Sequence, residues 1–185
     1  MGAEPTLPLM SVNEFLDWAE TQPGRYELEG GRIVAMSPER IRHVVVKGAA
    51  YAALRAACRQ FAGGCHALTD GMTVRIDANT AYEPDALVYC GAELPGDATE
   101  VRQPVIVVEV LSPSTAYRDV GAKLAGYFGL ESVAHYLIVD PERSTIVHHA
   151  RAEGDLIATR IVSHGALKLE PPGLILDAAD LLGSS

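Results

Sequence analysis

The chain has 185 residues, 15 lysines and arginines against 24 aspartates and glutamates, a formal net charge of −9, and 48% hydrophobic residues. That apolar share excludes a largely disordered chain, and no apolar run approaches the ~20 residues of a membrane-spanning helix. The acid excess speaks against a protein that coats nucleic acid non-specifically, since neutralising phosphates takes clustered lysine and arginine, but it leaves a local grip open.

In chain order, residues 1–10 read as a flexible arm with no basic segment leading into an apolar one, so no secretory signal is expected. Ser11 with Glu14 three residues on forms a capping box for a short helix that Pro23-Gly24 ends. Two short runs, Tyr26-Glu27-Leu28-Glu29 and Arg32-Ile33-Val34-Ala35-Met36, flank Gly30-Gly31 and predict a β-hairpin. After Ser37-Pro38 a long helix is expected to about Ala62, alanine-rich in its middle and closed by Gly63-Gly64. Strand-like pieces come next: Met72–Ile76, Asp85–Tyr89 and Val105–Leu111. Ser112-Pro113-Ser114-Thr115 reads as a turn and Ala116–Gly129 as a helix, with further strands at His135–Val139, Thr145–His149 and Leu156–Val162.

This order predicts one α/β domain over 1–185, a mixed central sheet between helices, without the regular alternation of a doubly wound fold. Dinucleotide, P-loop, nucleophile-elbow and HExxH motifs are all missing. His148 and His149 are adjacent, so on a strand they point to opposite faces, and they read as surface or edge residues. Cys58, Cys65 and Cys90 are odd in number and form no CxxC pair, which fits a cytoplasmic protein with three reduced, structural thiols.

Chemistry concentrates around Glu109. In a strand Ile106, Val108 and Val110 face one side and Val105, Val107, Glu109 and Leu111 the other, so both faces are apolar apart from the one carboxylate. A buried lone carboxylate costs several kcal/mol or takes up a proton. Glu109 therefore needs a cation, a basic partner or a place at the open end of the sheet. Asp85 opens the run Asp85–Tyr89, and the two acids could lie side by side if their strands are neighbours. Two carboxylates suit Mg²⁺ or Mn²⁺ rather than a thiol-binding metal. Asp119, Lys123 and Tyr127 share a polar helix face beside an apolar stripe of Val120, Leu124 and Phe128. Asp119 and Lys123 could be an exposed ion pair worth ~0.3–0.5 kcal/mol, or Lys123 could reach the metal and stabilise a phosphate.

The motifs YELEGGRIVAMSP, EPDALV, VVEVLSPST, RDVGAKLAGYF and HYLIVDP, in that order, resemble the Uma2 family over roughly Ser11 to Pro141. The resemblance implies a restriction-endonuclease-like fold of the PD-(D/E)XK superfamily, with Asp85 and Glu109 as the two acids that hold the metal. That superfamily wants lysine two residues after the second acid, where this chain has Leu111, and the resemblance implies that Lys123 on the following helix takes its place. Glu27 is a further acid candidate, or a solvated hairpin residue. His43 could assist a phosphate or water, or be structural. Together these residues and the resemblance predict a Mg²⁺-dependent endonuclease acting on DNA ahead of RNA. Two alternatives stay open, a nuclease-fold binding or accessory module and a metal hydrolase of a small phosphorylated molecule. A homodimer through the C-terminal strands and the tail Leu174-Ile175-Leu176 and Leu181-Leu182 is also open, with packing of that tail onto its own core the simpler reading.

Overall fold

The computed structural model describes residues 9–111 and 120–183. The turn expected at Ser112–Thr115, the start of the following helix and Asp119 lie outside them. Helix α1 (Val12–Ala19) begins as its sequence requires: Ser11 N–H donates to Glu14 Oε2 at 2.8 Å and Glu14 N–H to Ser11 Oγ at 3.4 Å. Met10, expected in the loose arm, is tied to the hairpin by its N–H to Gly31 O.

That hairpin is β1 (Tyr26–Glu29) and β2 (Arg32–Ala35), with Glu29 opposite Arg32. Its two-residue loop needs positive φ at both positions, which Gly30 and Gly31 supply at 53° and 79°. The long helix is α2 (Ile41–Gln60). Then come β3 (Cys65–Thr69), β4 (Val74–Arg75), β5 (Ala81–Tyr82), β6 (Ala86–Cys90) and β7 (Pro104–Val110). Helix α3 (Val120–Gly129) leads to β8 (His135–Asp140), β9 (Thr145–Arg151) and β10 (Ile157–Val162). The chain closes with β11 (Ala166–Leu169), β12 (Leu174–Asp177) and α4 (Ala178–Leu182).

The central sheet is mixed, in the order β10-β9-β8-β7-β6-β3, with only β7 and β8 parallel. A second sheet, β2-β1-β5-β4, joins it through the short link from β5 to β6 that carries Glu83, Pro84 and Asp85. As the alternation of β7 predicts, Ile106, Val108 and Val110 enter one core with α2, β11, β12 and α4. Val107 enters a second core with Tyr127 and Phe128 of α3. Leu174, Leu176, Leu181 and Leu182 pack into the first core, the simpler reading of the tail.

Two sequence expectations are corrected. Cys65 and Cys90 are not free thiols: the β3–β6 register sets them opposite each other and they are disulfide-bonded, leaving Cys58 as a buried thiol. His148 and His149 are not surface residues but buried ones on β9. They do point to opposite faces: His148 Nε2 lies 2.9 Å from His135 Nδ1, and His149 stacks on Tyr136. Among the described residues no helix is long and apolar enough to cross a membrane.

Helix α3 sits close against the small sheet because Gly126 has no side chain. A Cβ built there would lie 2.9 Å from Tyr82 Cε2 and 3.3 Å from Ile76 Cγ2. Tyr82 is itself buried and cannot swing away. Gly126→Ala is expected to destabilise the protein by about 1–3 kcal/mol, the cost of overpacking a filled contact, as read from urea denaturation; an unchanged midpoint would show that the helix can shift freely.

Candidate active site

Asp85 lies one residue before β6, and Glu109 is the penultimate residue of β7. Ala86 pairs with Val108, so one further step brings Asp85 across from Glu109. The Asp85 carboxylate reaches over to accept the Val110 N–H at 2.6 Å. The two acids thus stand at the ends of neighbouring, antiparallel strands.

Each acid is met by a lysine from a different side of the sheet. From α3, Lys123 Nζ donates to Glu109 Oε1 at 3.0 Å and to Glu27 Oε1 at 2.9 Å, and Tyr127 Oη donates to Glu109 Oε1 at 2.8 Å. Lys123 is buried, which overturns its reading as half of an exposed ion pair. Glu27 is buried too, not solvated, and also accepts the Glu83 N–H. From α2, Lys47 Nζ lies 3.0 Å from Asp85 Oδ1 and 2.7 Å from both Glu39 and Asp70. His43, one helical turn earlier, donates from Nε2 to Val110 O at 2.6 Å and has its Nδ1 3.5 Å from Glu39 Oε2. Arg25 completes the outer rim on Glu39, Asp70 and Glu83.

Asp85, Glu109, Lys123, Glu27 and His43 are therefore drawn to one end of the sheet. Tyr127, read on the same helix face as Lys123, joins them, and so does Lys47, unforeseen. For Lys47 a signal existed: His43 and Lys47 are spaced i, i+4 on the face of α2 that carries Val46, Ala50 and Leu54, so a charge sits inside the apolar stripe. Arg25, Glu39, Asp70 and Glu83 had no comparable signal, because tertiary structure alone assembles them.

Among the described residues, six carboxylates in this web share three fixed cations, Arg25, Lys47 and Lys123. The Glu109 carboxyl is pushed up to about 7, first by burial and then by the charges of Asp85 and Glu27, against the pull of Lys123. Lys123 is held firmly protonated by the same two glutamates, despite its burial. Among the described residues no three His, Cys, Asp or Glu side chains converge as a ready-made metal cage. The donor set still fits a hard divalent cation: its atoms are carboxylate oxygens, and they carry negative charge that the cations among the described residues do not neutralise.

The Uma2 family, described as "Putative restriction endonuclease", matches residues 12–179. This chain belongs to that family. It is 29% identical over 170 residues to the uncharacterized protein slr1290 of Synechocystis, across 90% of this chain and 88% of that protein. Its fold matches a crystal structure from Anabaena variabilis, described as "a putative nuclease belonging to DUF820", with a TM-score of 0.74 at 15% identity, covering 95% of this chain and 98% of the other. The restriction-endonuclease-like architecture expected of a Uma2 protein, a mixed sheet between helices, is the one observed.

The raised Glu109 pKa has a definite sign in stability. Its folded value, about 7, lies above the ordinary 4.5, so between those values the native state binds more protons than the unfolded chain. The contribution of this group is fully present below the lower value and is lost as pH rises through the upper one. In chelator-treated protein, Glu109→Gln is expected to melt above wild type at pH 8 and to converge with it near pH 5. Parallel melting curves across that range would show that Glu109 titrates normally.

Proposed function

We infer that this Uma2 protein is a metal-dependent endonuclease that hydrolyses phosphodiester bonds of nucleic acid, DNA ahead of RNA. The observation that supports the reading is the position of Asp85 and Glu109 at the ends of neighbouring strands, with Lys123 against Glu109, in a family described as "Putative restriction endonuclease". Asp85 and Glu109 would hold Mg²⁺ or Mn²⁺. When bound, the ion supplies an acidified water and neutralises phosphate charge.

The chain's own groups divide the remaining work. Lys47 and the Val110 amide fix the Asp85 carboxylate, and His43 fixes the Val110 carbonyl, so the first acid is held rigidly. Tyr127 anchors Glu109 through Oε1. Lys123, against Glu109, would hold the attacking water or the charge growing on a phosphate oxygen. In the hydrolysis the water oxygen bonds to phosphorus, the bridging P–O bond breaks, and the departing oxygen takes up a proton.

One observation favours a second reading. Both acids already have lysine partners, so a chain that binds nucleic acid without cutting it is consistent with the same geometry. Nicking of supercoiled plasmid by the pure protein with Mg²⁺ or Mn²⁺ separates the two. Under the nuclease reading Asp85→Ala, Glu109→Ala and Lys123→Ala each lower the rate by about 100-fold or more, the usual loss when a preorganised electrostatic group is removed. Cutting that survives the first two changes overturns the site assignment, and retention of DNA without cutting favours the accessory module.

A further inference from the structure

β10 is the outer strand of the six-stranded sheet and, among the described residues, its far edge pairs with no strand. A free edge offers a row of N–H and C=O groups to any other strand, and proteins guard such edges with charge, proline, bulges or a covering element. Among the described residues, this edge has no proline, bulge or covering strand. Leu156–Val162 has no proline and no acid in a chain of net charge −9. Six consecutive residues pair with β9 without a register shift. Leu156, Ile157 and Ile161 are 70%, 40% and 73% exposed.

The one charge on the strand is drawn away from the edge. Arg160 Nε donates to His148 Nδ1 at 3.0 Å, and its terminal nitrogen to Lys168 O at 3.3 Å. With Nδ1 of His148 accepting, its Nε2–H donates to His135 Nδ1 at 2.9 Å, and His135 Nε2–H in turn donates to Pro171 O at 2.9 Å. Burial keeps both rings neutral, lowering His135 and bringing His148 down to about 3, so they bind Arg160 as a hydrogen-bond chain rather than repel it.

We propose that two copies of this chain pair antiparallel through their β10 edges, about a two-fold axis at Thr159, joining their sheets into one. The choice of a second copy rests on the self-complementarity of the strand. With Thr159 on the axis, Ile157 lies opposite the partner's Ile161 and Ala158 opposite the partner's Arg160. Asp155 then lies opposite the partner's Ser163, so no like charges meet. Moving the axis one residue, to Arg160, would set two guanidinium groups face to face. Such a contact is isologous and closes at two copies, and a single strand pairing is small enough to be concentration-dependent.

Sedimentation equilibrium of the full chain over a hundredfold concentration range tests the pairing. Wild type is expected to pass from monomer to dimer, and Ile161→Lys, at an exposed position, to weaken association at least tenfold with an unchanged melting temperature. Thr159→Cys in a Cys58→Ala background is expected to give a disulfide-linked dimer on oxidation, whereas Glu153→Cys, off the axis, is not. A chain that stays monomeric throughout overturns the proposal, as does a dimer that tolerates Ile161→Lys and gives no Thr159→Cys cross-link. None of these readings depends on nuclease activity, so they stand or fall apart from it.

Discussion

The ammonium of Lys123 is the point on which the architecture turns. It is buried, and it is shared between Glu27 of the small sheet and Glu109 of the central sheet while itself belonging to α3. Removing such an ion from water costs several kcal/mol, and only good geometry with more than one acceptor offsets it. Three separately folded pieces must therefore arrive in register for the contact to be tolerable. Gly126, one turn further along α3, lets the helix come close enough, and the ring of Tyr82 lies 5.3 Å from the ammonium as a further electrostatic neighbour. Packing and charge are the same constraint here, because the contact that closes the core also delivers the lysine.

Lys47 repeats the arrangement from the opposite face, and together the two lysines still leave negative charge in excess. Burial first, and that excess second, make Glu109, and not Lys123, the group with an unsettled charge near neutral pH. A proton and a divalent cation are alternative answers to the same surplus. Burial with acidic neighbours holds a proton on Glu109 at a pH where an ordinary glutamate has lost it, and the same environment would attract a hard cation once that proton leaves. The hydroxyl of Tyr127, pushed well above its ordinary pKa, remains a donor throughout and keeps one oxygen of Glu109 in place.

The central strands were legible because their chemistry is one-dimensional. The alternation of β7 marks a strand covered on both sides, and Glu109 stands out against it. Lys123 was legible as a polar face beside an apolar stripe, although its true partners were not. The capping box of α1 and the Gly30-Gly31 hairpin obey local rules and hold in the structure. What escaped depends on contacts distant in sequence. β5 is two residues long and has no period to read, while the strand read at Met72–Ile76 narrows to Val74–Arg75. The Cys65–Cys90 bond depends on a register that only the folded sheet sets. His148 is an interior residue because the segment after β11 lies over His135, and nothing local to His148-His149 announces that cover.

One rule accounts for where polar chemistry lies in the sheet. Every residue of β8 is buried, and β6 and β7 are nearly so, which leaves their middles no means of solvating a charge. Acids are therefore confined to strand ends, and topology decides which end. β7 and β8 run parallel while β6 runs against them, so the start of β6 and the finishes of β7 and β8 share one margin of the sheet. Asp85, Glu109 and Asp140 all lie there. Asp140 is satisfied within its own turn, by Arg143 and the amides of Glu142 and Arg143. Asp85 and Glu109 have no such local answer and must draw lysines from two helices. A carboxylate neutralised by its own turn has no reason to attract a ligand; a pair dependent on distant cations, and left with charge to spare, does. That difference, rather than the number of acids on the margin, singles out the β6–β7 end as the place where this chain could do chemistry.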